Sequence, residues 1–352
     1  MKKPQVVPIH SEVDLEAPGK HSGFVRLPHS VHRSAYGWLP MPMASVRNGD
    51  GPKVVVTAGT HGDEYEGQII VSNLMQNVTP DMVQGQLVLI PMANFPAADA
   101  GTRTSPIDEG NLNREFPGDP NGTMTQVIAH FIESVVLDGA DYLIDLHSGG
   151  SSLQYLPSVG MDNCATPEDQ ALAQEFTTVF GLPYATLSND SGYGYSTSAA
   201  ARQGAVAIST ELGGAGMVTP DILKMADQGV RRLLGHLGVL RGSLIPEEPP
   251  MQTRFMWVDP VKHYVYAPED GVFEPLVELG DEVETGQDAA RLHFPESPDR
   301  PPVVCRFVGS GMVICKRVPA RSRRGDCLFH LASEQDDNLI LADQQPASVH
   351  DH

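Results

Sequence analysis

Three short polar motifs carry the side chains most capable of chemistry in this 352-residue chain. Each follows an apolar run of β type, and the motifs span residues 59–64, 145–150 and 210–214. Together they supply two imidazoles and two carboxylates, and two histidines with one glutamate form one of the ligand sets of a catalytic zinc site. The predicted zinc ligands are His61, Glu64 and His147. The predicted general base is Glu211.

The residues around these motifs strengthen the prediction. A His-x-x-Glu pair alone is common by chance, but Gly62 lets the backbone turn so that both side chains can converge. Asp145 and His147 lie two residues apart on a strand and share a face, so the carboxylate can orient the imidazole. The alternative for Asp145 is a hydrogen bond to a neighbouring turn. Glu211 follows an apolar run, where a carboxylate is costly unless it is paired or functional.

A fourth motif, at residues 110–118, suits the binding of an anionic substrate. Arg114 offers a planar guanidinium that matches a carboxylate, and Asn113 beside it is a neutral donor. Arg103 lies nearby in sequence and could polarise a scissile carbonyl or stabilise its oxyanion. The alternative for Arg103 is a solvated loop arginine.

The order of elements predicts an α/β fold that positions these motifs. From about residue 53 to 240, β-branched runs alternate with amphipathic stretches, which is typical of a mostly parallel or mixed sheet flanked by helices. The predicted strands span 54–58, 87–91, 142–146 and 205–209. The predicted helices span 65–76, 124–137, 167–180 and 220–240. Ligands of open α/β sheets bind beyond the carboxyl ends of the strands, and all three motifs follow such ends.

The composition changes after about residue 245. Residues 246–250 resemble a linker, and the sequence from 251 to 335 is rich in Val, Gly and Pro without helical periodicity. We predict a hydrolase domain over 1–245 with an N-terminal β extension over 1–50, a small all-β domain over 251–335 and a polar tail over 336–352. Two Gly-turned segments, 267–287 and 311–328, form an internal repeat similar to barrel-sandwich carrier domains. Because the carrier lysine is missing, we expect a structural or site-capping role.

Charge and cysteine content limit the partners. The formal net charge is −20, from 24 basic and 44 acidic residues, which argues against nucleic acid or an anionic membrane as a partner. The cysteines show no Cys-x-x-Cys pair and are expected to be reduced and structural: Cys164, Cys305, Cys315 and Cys327. No apolar signal or membrane-spanning run is present, so we expect a cytoplasmic protein. A homodimer or tetramer is the default expectation.

On these motifs the sequence resembles the succinylglutamate desuccinylase and aspartoacylase branch of the zinc carboxypeptidase-like hydrolases. The resemblance covers about residues 54–214, and the branch also has a trailing β domain. It implies a zinc-carboxypeptidase-like fold, one zinc ion per subunit and a small N-acyl amino acid as substrate. It implies that His61, Glu64 and His147 bind the zinc ion and that Glu211 acts as general base and acid. It also implies that Asn113 and Arg114 bind the substrate carboxylate and that Arg103 acts on the carbonyl oxygen.

Within this branch, residues 34–42 and 60–67 are most similar to the deacetylases of ectoine breakdown. The resemblance implies removal of acetyl from Nα-acetyl-L-2,4-diaminobutyrate, whose cationic amine would need an acidic partner such as Asp190 or Glu109. The alternatives are a succinylglutamate desuccinylase or aspartoacylase-type deacylase, a zinc carboxypeptidase that cleaves peptides, and a non-catalytic binding or carrier protein built on the β domain.

Overall fold

The computed structural model describes residues 9–161, 166–188 and 192–334. Cys164 and Asp190, both named above, lie outside the described residues. The predicted tail over 336–352 also lies outside them. None of the helices within these ranges is long and apolar enough to cross a bilayer.

Strands and helices alternate in the first two thirds of the chain, whereas strands alone follow. The strands are β1 (His10–Ser11), β2 (Gly19–Pro28), β3 (Trp38–Asn48), β4 (Lys53–Ala58), β5 (Gly85–Ile90), β6 (Tyr142–His147), β7 (Leu153–Tyr155), β8 (Ser158–Gly160), β9 (Tyr184–Ser188), β10 (Val206–Glu211), β11 (Arg254–Val258), β12 (Tyr264–Tyr266), β13 (Gly271–Pro275), β14 (Glu282–Val283), β15 (Asp288–His293), β16 (Val303–Arg306), β17 (Gly311–Arg317), β18 (Arg321–Ser322) and β19 (Cys327–Glu334). The α-helices are α1 (Tyr65–Asn77), α2 (Phe95–Ala100), α3 (Met124–Phe131), α4 (Pro167–Phe180), α5 (Ser196–Arg202) and α6 (Pro220–His236). Shorter helical turns span Pro80–Met82, Leu112–Arg114 and Ile132–Val136.

One large mixed sheet forms the centre of the molecule. Its strand order begins β1-β2-β3-β5-β4-β6-β10-β8-β9-β11. Four neighbours, β5, β4, β6 and β10, run parallel, while β1–β3 extend that edge in antiparallel pairs. The predicted α/β fold with a mixed sheet flanked by helices is therefore confirmed.

Both faces of the sheet are covered by helices, which explains the continuous apolar runs of β4 and β5. Val54 and Val56 point to a core shared with α1, α4 and α6. Val55, between them, points to the opposite core, which is shared with α3 and α5. This period-two alternation determines on which face of the sheet each side chain lies, including the last side chain of every strand.

The four predicted helices form, with changes at two ends. The stretch predicted as 124–137 is α-helical only to Phe131 and continues as a π-helical turn to Val136. The helix predicted to reach residue 240 ends at His236, because Gly238 adopts φ 75° and the chain turns away. Two helices, α2 and α5, have six and seven residues and were not predicted, because such short helices carry too few turns for a periodic pattern.

The C-terminal β region, which we define as β11–β19, contributes two antiparallel layers around an aromatic core that includes Phe273, Phe307 and Phe329. One layer has the order β16-β15-β13-β18, and the other contains β19, β17 and β14. The short strand of each predicted repeat pairs with the first strand of the other repeat: β14 with β17, and β18 with β13. This region joins the large sheet through parallel pairing of β11 with β9. The domain boundary near residue 251 stays a prediction.

Candidate metal centre and active site

Three neighbouring strand ends bring the polar motifs together. β6 lies between β4 and β10, and all three run parallel. Their register places Ala58 opposite Leu146 and Glu211 opposite His147. The loop after β4, the last residue of β6 and the last residue of β10 therefore face one point.

His61, Glu64 and His147 form a compact buried cluster. Nδ1 of His61 lies 2.7 Å from Oε1 of Glu64, and Nδ1 of His147 lies 2.9 Å from Oε2. One ligand atom from each residue lies within 4.8 Å of the others, a grouping that could hold a metal ion. The outer Nε2 atoms face acceptors, Asn111 Oδ1 at 3.1 Å and Asp145 Oδ2 at 2.9 Å. An acceptor there fixes the proton on Nε2 and leaves the Nδ1 lone pair for a metal, so the donor set fits zinc.

Asp145 holds His147, as its position on the strand predicted. The carboxylate is fully buried and accepts hydrogen bonds from the hydroxyls of Thr57 at 2.7 Å, of Thr60 at 3.2 Å and of Ser196. Burial by itself raises the pKa of Asp145, but His147 and these hydroxyls hold it below its usual value. Asp145 therefore stays ionised and orients the imidazole.

The substitution Asp145→Asn is expected to weaken binding of Zn²⁺ about 10- to 100-fold, because an amide can present its NH₂ group to Nε2 and disturb the tautomer of His147. The measurement is a competition titration of Zn²⁺ against a chromophoric chelator. Asp141→Asn is the matched control, since Asp141 lies before the first residue of β6, at the other end of that strand from His147, and its carboxylate accepts the backbone amide of Lys53 at 2.8 Å. Equal affinities for both variants would remove Asp145 from the support of the metal centre.

Glu64 is ionised at the centre of the cluster. Burial raises its pKa, yet the two imidazoles and their hydrogen bonds hold the pKa of Glu64 well below its usual range. For His147 the carboxylates of Asp145 and Glu64 outweigh burial and raise its pKa well above the usual value. In this arrangement protons on the two imidazoles face the Glu64 carboxylate. A bound metal cation would replace those protons and supply the positive charge beside the carboxylate.

Glu211 lies beside the cluster without a hydrogen-bonding partner for its buried Oε2 among the described residues. Burial, and next the negative charge of Glu64, raise the pKa of Glu211 to about 8, while His147 and Arg103 oppose the rise. A carboxyl group that is poised near neutral pH can both accept and return a proton. The position of Glu211 beside the cluster and its raised pKa are what a general base requires. The catalytic role of Glu211 stays a prediction.

Arg103 also reaches the cluster, although it lies in a loop far from any strand end. Its Nη1 lies 3.6 Å from Oε1 of Glu64 and 3.4 Å from Nδ1 of His61. The side chain is 44% exposed, so it faces the cavity rather than the core. The guanidinium therefore points at the predicted metal centre, and the action of Arg103 on a carbonyl oxygen stays a prediction.

Asn113 and Arg114 line the same cavity from the 3₁₀ turn at Leu112–Arg114. Oδ1 of Asn113 accepts a hydrogen bond from the backbone amide of Ser196 at 2.8 Å, which fixes the side chain at the cavity wall. The guanidinium carbon of Arg114 lies 4.4 Å from the centre of the Tyr195 ring, and Nη1 donates to the carbonyl of Asn113 at 2.7 Å. Both side chains are thus prepositioned next to the cluster, and their binding role stays a prediction.

Two details differ from the sequence-based interpretation. Gly62 does not supply the sharp turn: Gly59 has φ 67°, whereas Gly62 is needed because a Cβ there would lie 2.0 Å from the carbonyl of Ala97. Glu109, a suggested partner for a substrate amine, is exposed and does not line the cavity.

The cavity itself is about 420 Å³ and extends beyond the predicted residues. Residues that sequence reasoning did not select also line it: Tyr155 on β7, and Val258, Tyr264, Ile314 and His330 from the C-terminal β region. These residues lie in no polar motif and are up to 269 positions from His61 (330 − 61), so only the folded chain reveals them.

A family model of the succinylglutamate desuccinylase/aspartoacylase catalytic domain matches residues 50–237. The chain belongs to this family. The matched range contains every predicted site residue, while Tyr264 and His330 lie outside it. The expected family resemblance is therefore confirmed.

Relatives within the succinylglutamate desuccinylase/aspartoacylase family match the chain over almost its whole length. It is 38% identical over 327 residues to an N-alpha-acetyl-L-2,4-diaminobutyric acid deacetylase of Halomonas elongata, covering 92% of this chain and 95% of that protein. A solved family member from Rhodobacter sphaeroides is 37% identical with a TM-score of 0.86, and the product-bound ectoine utilization protein EutE of Ruegeria pomeroyi is 34% identical with a TM-score of 0.87. Both comparisons cover 93% of this chain and 99% of the other.

Proposed function

We propose that this protein is a cytoplasmic, zinc-dependent amidohydrolase that removes acetyl from Nα-acetyl-L-2,4-diaminobutyrate in ectoine breakdown. The observation that carries the proposal is the cluster of His61, Glu64 and His147 in one cavity with Glu211, whose buried Oε2 has no hydrogen-bonding partner among the described residues. The similarity to a deacetylase of the same substrate over 92% of the chain supports the choice of substrate.

His61, Glu64 and His147 would hold the zinc ion, which when bound supplies Lewis acidity that polarises an amide carbonyl and acidifies water. Glu211 takes a proton from the attacking water and returns it to the departing amine, since burial and the neighbouring Glu64 raise the pKa of its carboxyl and make it a stronger base than an ordinary glutamate. The oxygen of the attacking water bonds to the acetyl carbon, the C–N bond breaks, and the proton returned by Glu211 goes to the departing nitrogen, so the amide and one water give acetate and a free amine.

Arginines bind the charges of the substrate and of its transition state. Arg114 and Asn113 present a guanidinium and an amide to the cavity, and they bind the α-carboxylate of the amino acid. Arg103, whose Nη1 lies 3.6 Å from Glu64, donates to the carbonyl oxygen as negative charge develops on it.

A peptide-cleaving carboxypeptidase is disfavoured by the C-terminal β region. Val258, Ile314 and His330 from this region line the cavity, so the space next to the cluster is bounded on that side. A bounded cavity of about 420 Å³ accommodates a small N-acyl amino acid better than an extended peptide.

The experiment is amine release by the zinc-loaded protein from four compounds, each with and without a chelator: Nα-acetyl-L-2,4-diaminobutyrate, N-succinylglutamate, N-acetylaspartate and a short peptide. We expect chelator-sensitive release from the first compound alone, with one zinc per subunit by elemental mass spectrometry. Release from a different compound of the four would support the hydrolase activity but contradict the proposed substrate. Release that survives complete metal removal would overturn the zinc dependence.

A further inference from the structure

One wall of the cavity is not used by the proposed mechanism. Four paired strands form it, and their register aligns Tyr155 on β7, Cys315 on β17, His330 on β19 and Tyr264 on β12. Directly paired residues of a sheet project from the same face, so these side chains form one row. Tyr155, Tyr264 and His330 of this row line the cavity.

His330 is a buried polar side chain without a hydrogen-bonding partner. It is only 8% exposed, and neither Nδ1 nor Nε2 has a partner among the described residues. Its ring stacks on Tyr264, with centroids 4.3 Å apart and planes at 16°, and meets Tyr155 edge to face at 6.1 Å. A buried imidazole that lines a cavity without a partner is ready to bind a ligand, because an unmade hydrogen bond there costs free energy.

The chemistry of this wall suits a group that donates a hydrogen bond. Burial lowers the pKa of His330 to about 3, so the ring is neutral and offers one nitrogen lone pair as a hydrogen-bond acceptor. Tyr264 stacks on Tyr266 as well as on His330, with planes at 10° and 16°, so the stack holds the imidazole in place at the cavity wall. Among the described lining residues the only carboxylates are Glu64 and Glu211, and both belong to the reaction centre.

We propose that His330, between Tyr155 and Tyr264, accepts a hydrogen bond from the primary ammonium group of the substrate side chain and so determines specificity. This inference rests on the proposed function, in which the α-carboxylate lies at Arg114 and the acetamide at the metal cluster. It places recognition of the side chain on the C-terminal β region, at a residue outside the matched catalytic domain. Glu109 is not needed for this role, since it lies outside the cavity.

The experiment compares His330→Phe, which keeps a stacking ring but removes both nitrogens, with the wild-type protein. Two substrates are used: Nα-acetyl-L-2,4-diaminobutyrate and its uncharged isostere Nα-acetyl-L-norvaline. We expect kcat/KM for the amine substrate to fall about 10- to 100-fold, mainly through KM, with less than about 3-fold change for the isostere. His330→Gln restores a neutral acceptor and should recover part of the loss. Protection of the wild type against thermal unfolding by L-2,4-diaminobutyrate should be lost in His330→Phe.

The outcomes separate the two proposals. An active wild type whose preference for the amine substrate persists in His330→Phe would overturn the role of His330 alone. An equal loss for both substrates would also overturn it, because it would show that the ring only supports the fold. A wild type that hydrolyses the isostere but not the amine substrate would overturn the proposed substrate itself.

Discussion

Glu211→Gln is expected to lower kcat about 10²- to 10⁴-fold while the protein still binds one zinc ion. Glutamine keeps the size of the side chain but cannot accept a proton, and Glu211 is not among the three clustered ligands. The measurement pairs initial rates of amine release with metal content after gel filtration. Turnover within about tenfold of the wild type would remove Glu211 from the mechanism.

The same substitution is expected to stabilise the metal-free protein at neutral pH. The folded state raises the pKa of Glu211 from 4.5 to about 8, so it binds the proton more tightly than the unfolded chain does. As pH rises from about 4.5 to about 8, Glu211 ionises more readily in the unfolded chain, so the free energy of unfolding falls. Glutamine does not ionise and therefore removes this loss. We expect a higher Tm for the variant at pH 8 and a smaller gain at pH 5. A gain that does not depend on pH would contradict the ionisation of Glu211 as its cause.

Gly62→Ala is expected to lower the free energy of unfolding by about 3 kcal/mol or more and to weaken zinc binding. The added Cβ would lie 2.0 Å from the carbonyl carbon and oxygen of Ala97 and 2.3 Å from the amide of Ala98. These are backbone atoms of α2, so either α2 or the loop that carries His61 and Glu64 must move. Chemical denaturation and a zinc titration measure the two effects.

Gly139→Ala is the control for this substitution. No atom lies within 4 Å of a Cβ at Gly139, and only its left-handed φ of 64° is strained, at about 1–2 kcal/mol. Zinc affinity should not change in the control. Equal destabilisation of both variants with full zinc affinity would show that α2 does not constrain the metal loop.

The motifs were predictable because strand ends in a parallel sheet have a common direction. Apolar runs identify β4, β6 and β10, and the polar residues after each run must lie at the same edge of the sheet. That local rule brings His61, His147 and Glu211 together without knowledge of the strand order. The alternation of faces along β6 likewise predicts that Asp145 reaches His147, as the 2.9 Å contact shows.

Other parts of the site depend on contacts that no local pattern encodes. Asn111 reaches His61 across 50 residues, and Arg103 turns towards Glu64 from a loop whose path follows from the packing of α2. Short helices such as α2 make too few turns to show a period, and their position is set by close backbone approaches such as that at Gly62.

The amino-acid sequence by itself was enough to predict the ligand set, the base and the carboxylate-binding motif, and it determined the α/β order of the first 240 residues, since each depends on neighbours along the chain. The tertiary structure alone decided which residues line the cavity beside these motifs. His330 is neutral and lines the cavity because β7, β12, β17 and β19 bury it beside two tyrosines that lie 66 or more residues away in sequence (330 − 264). Desolvation and long-range strand pairing are properties of the fold, and they give this residue a chemistry that its place in the sequence does not reveal.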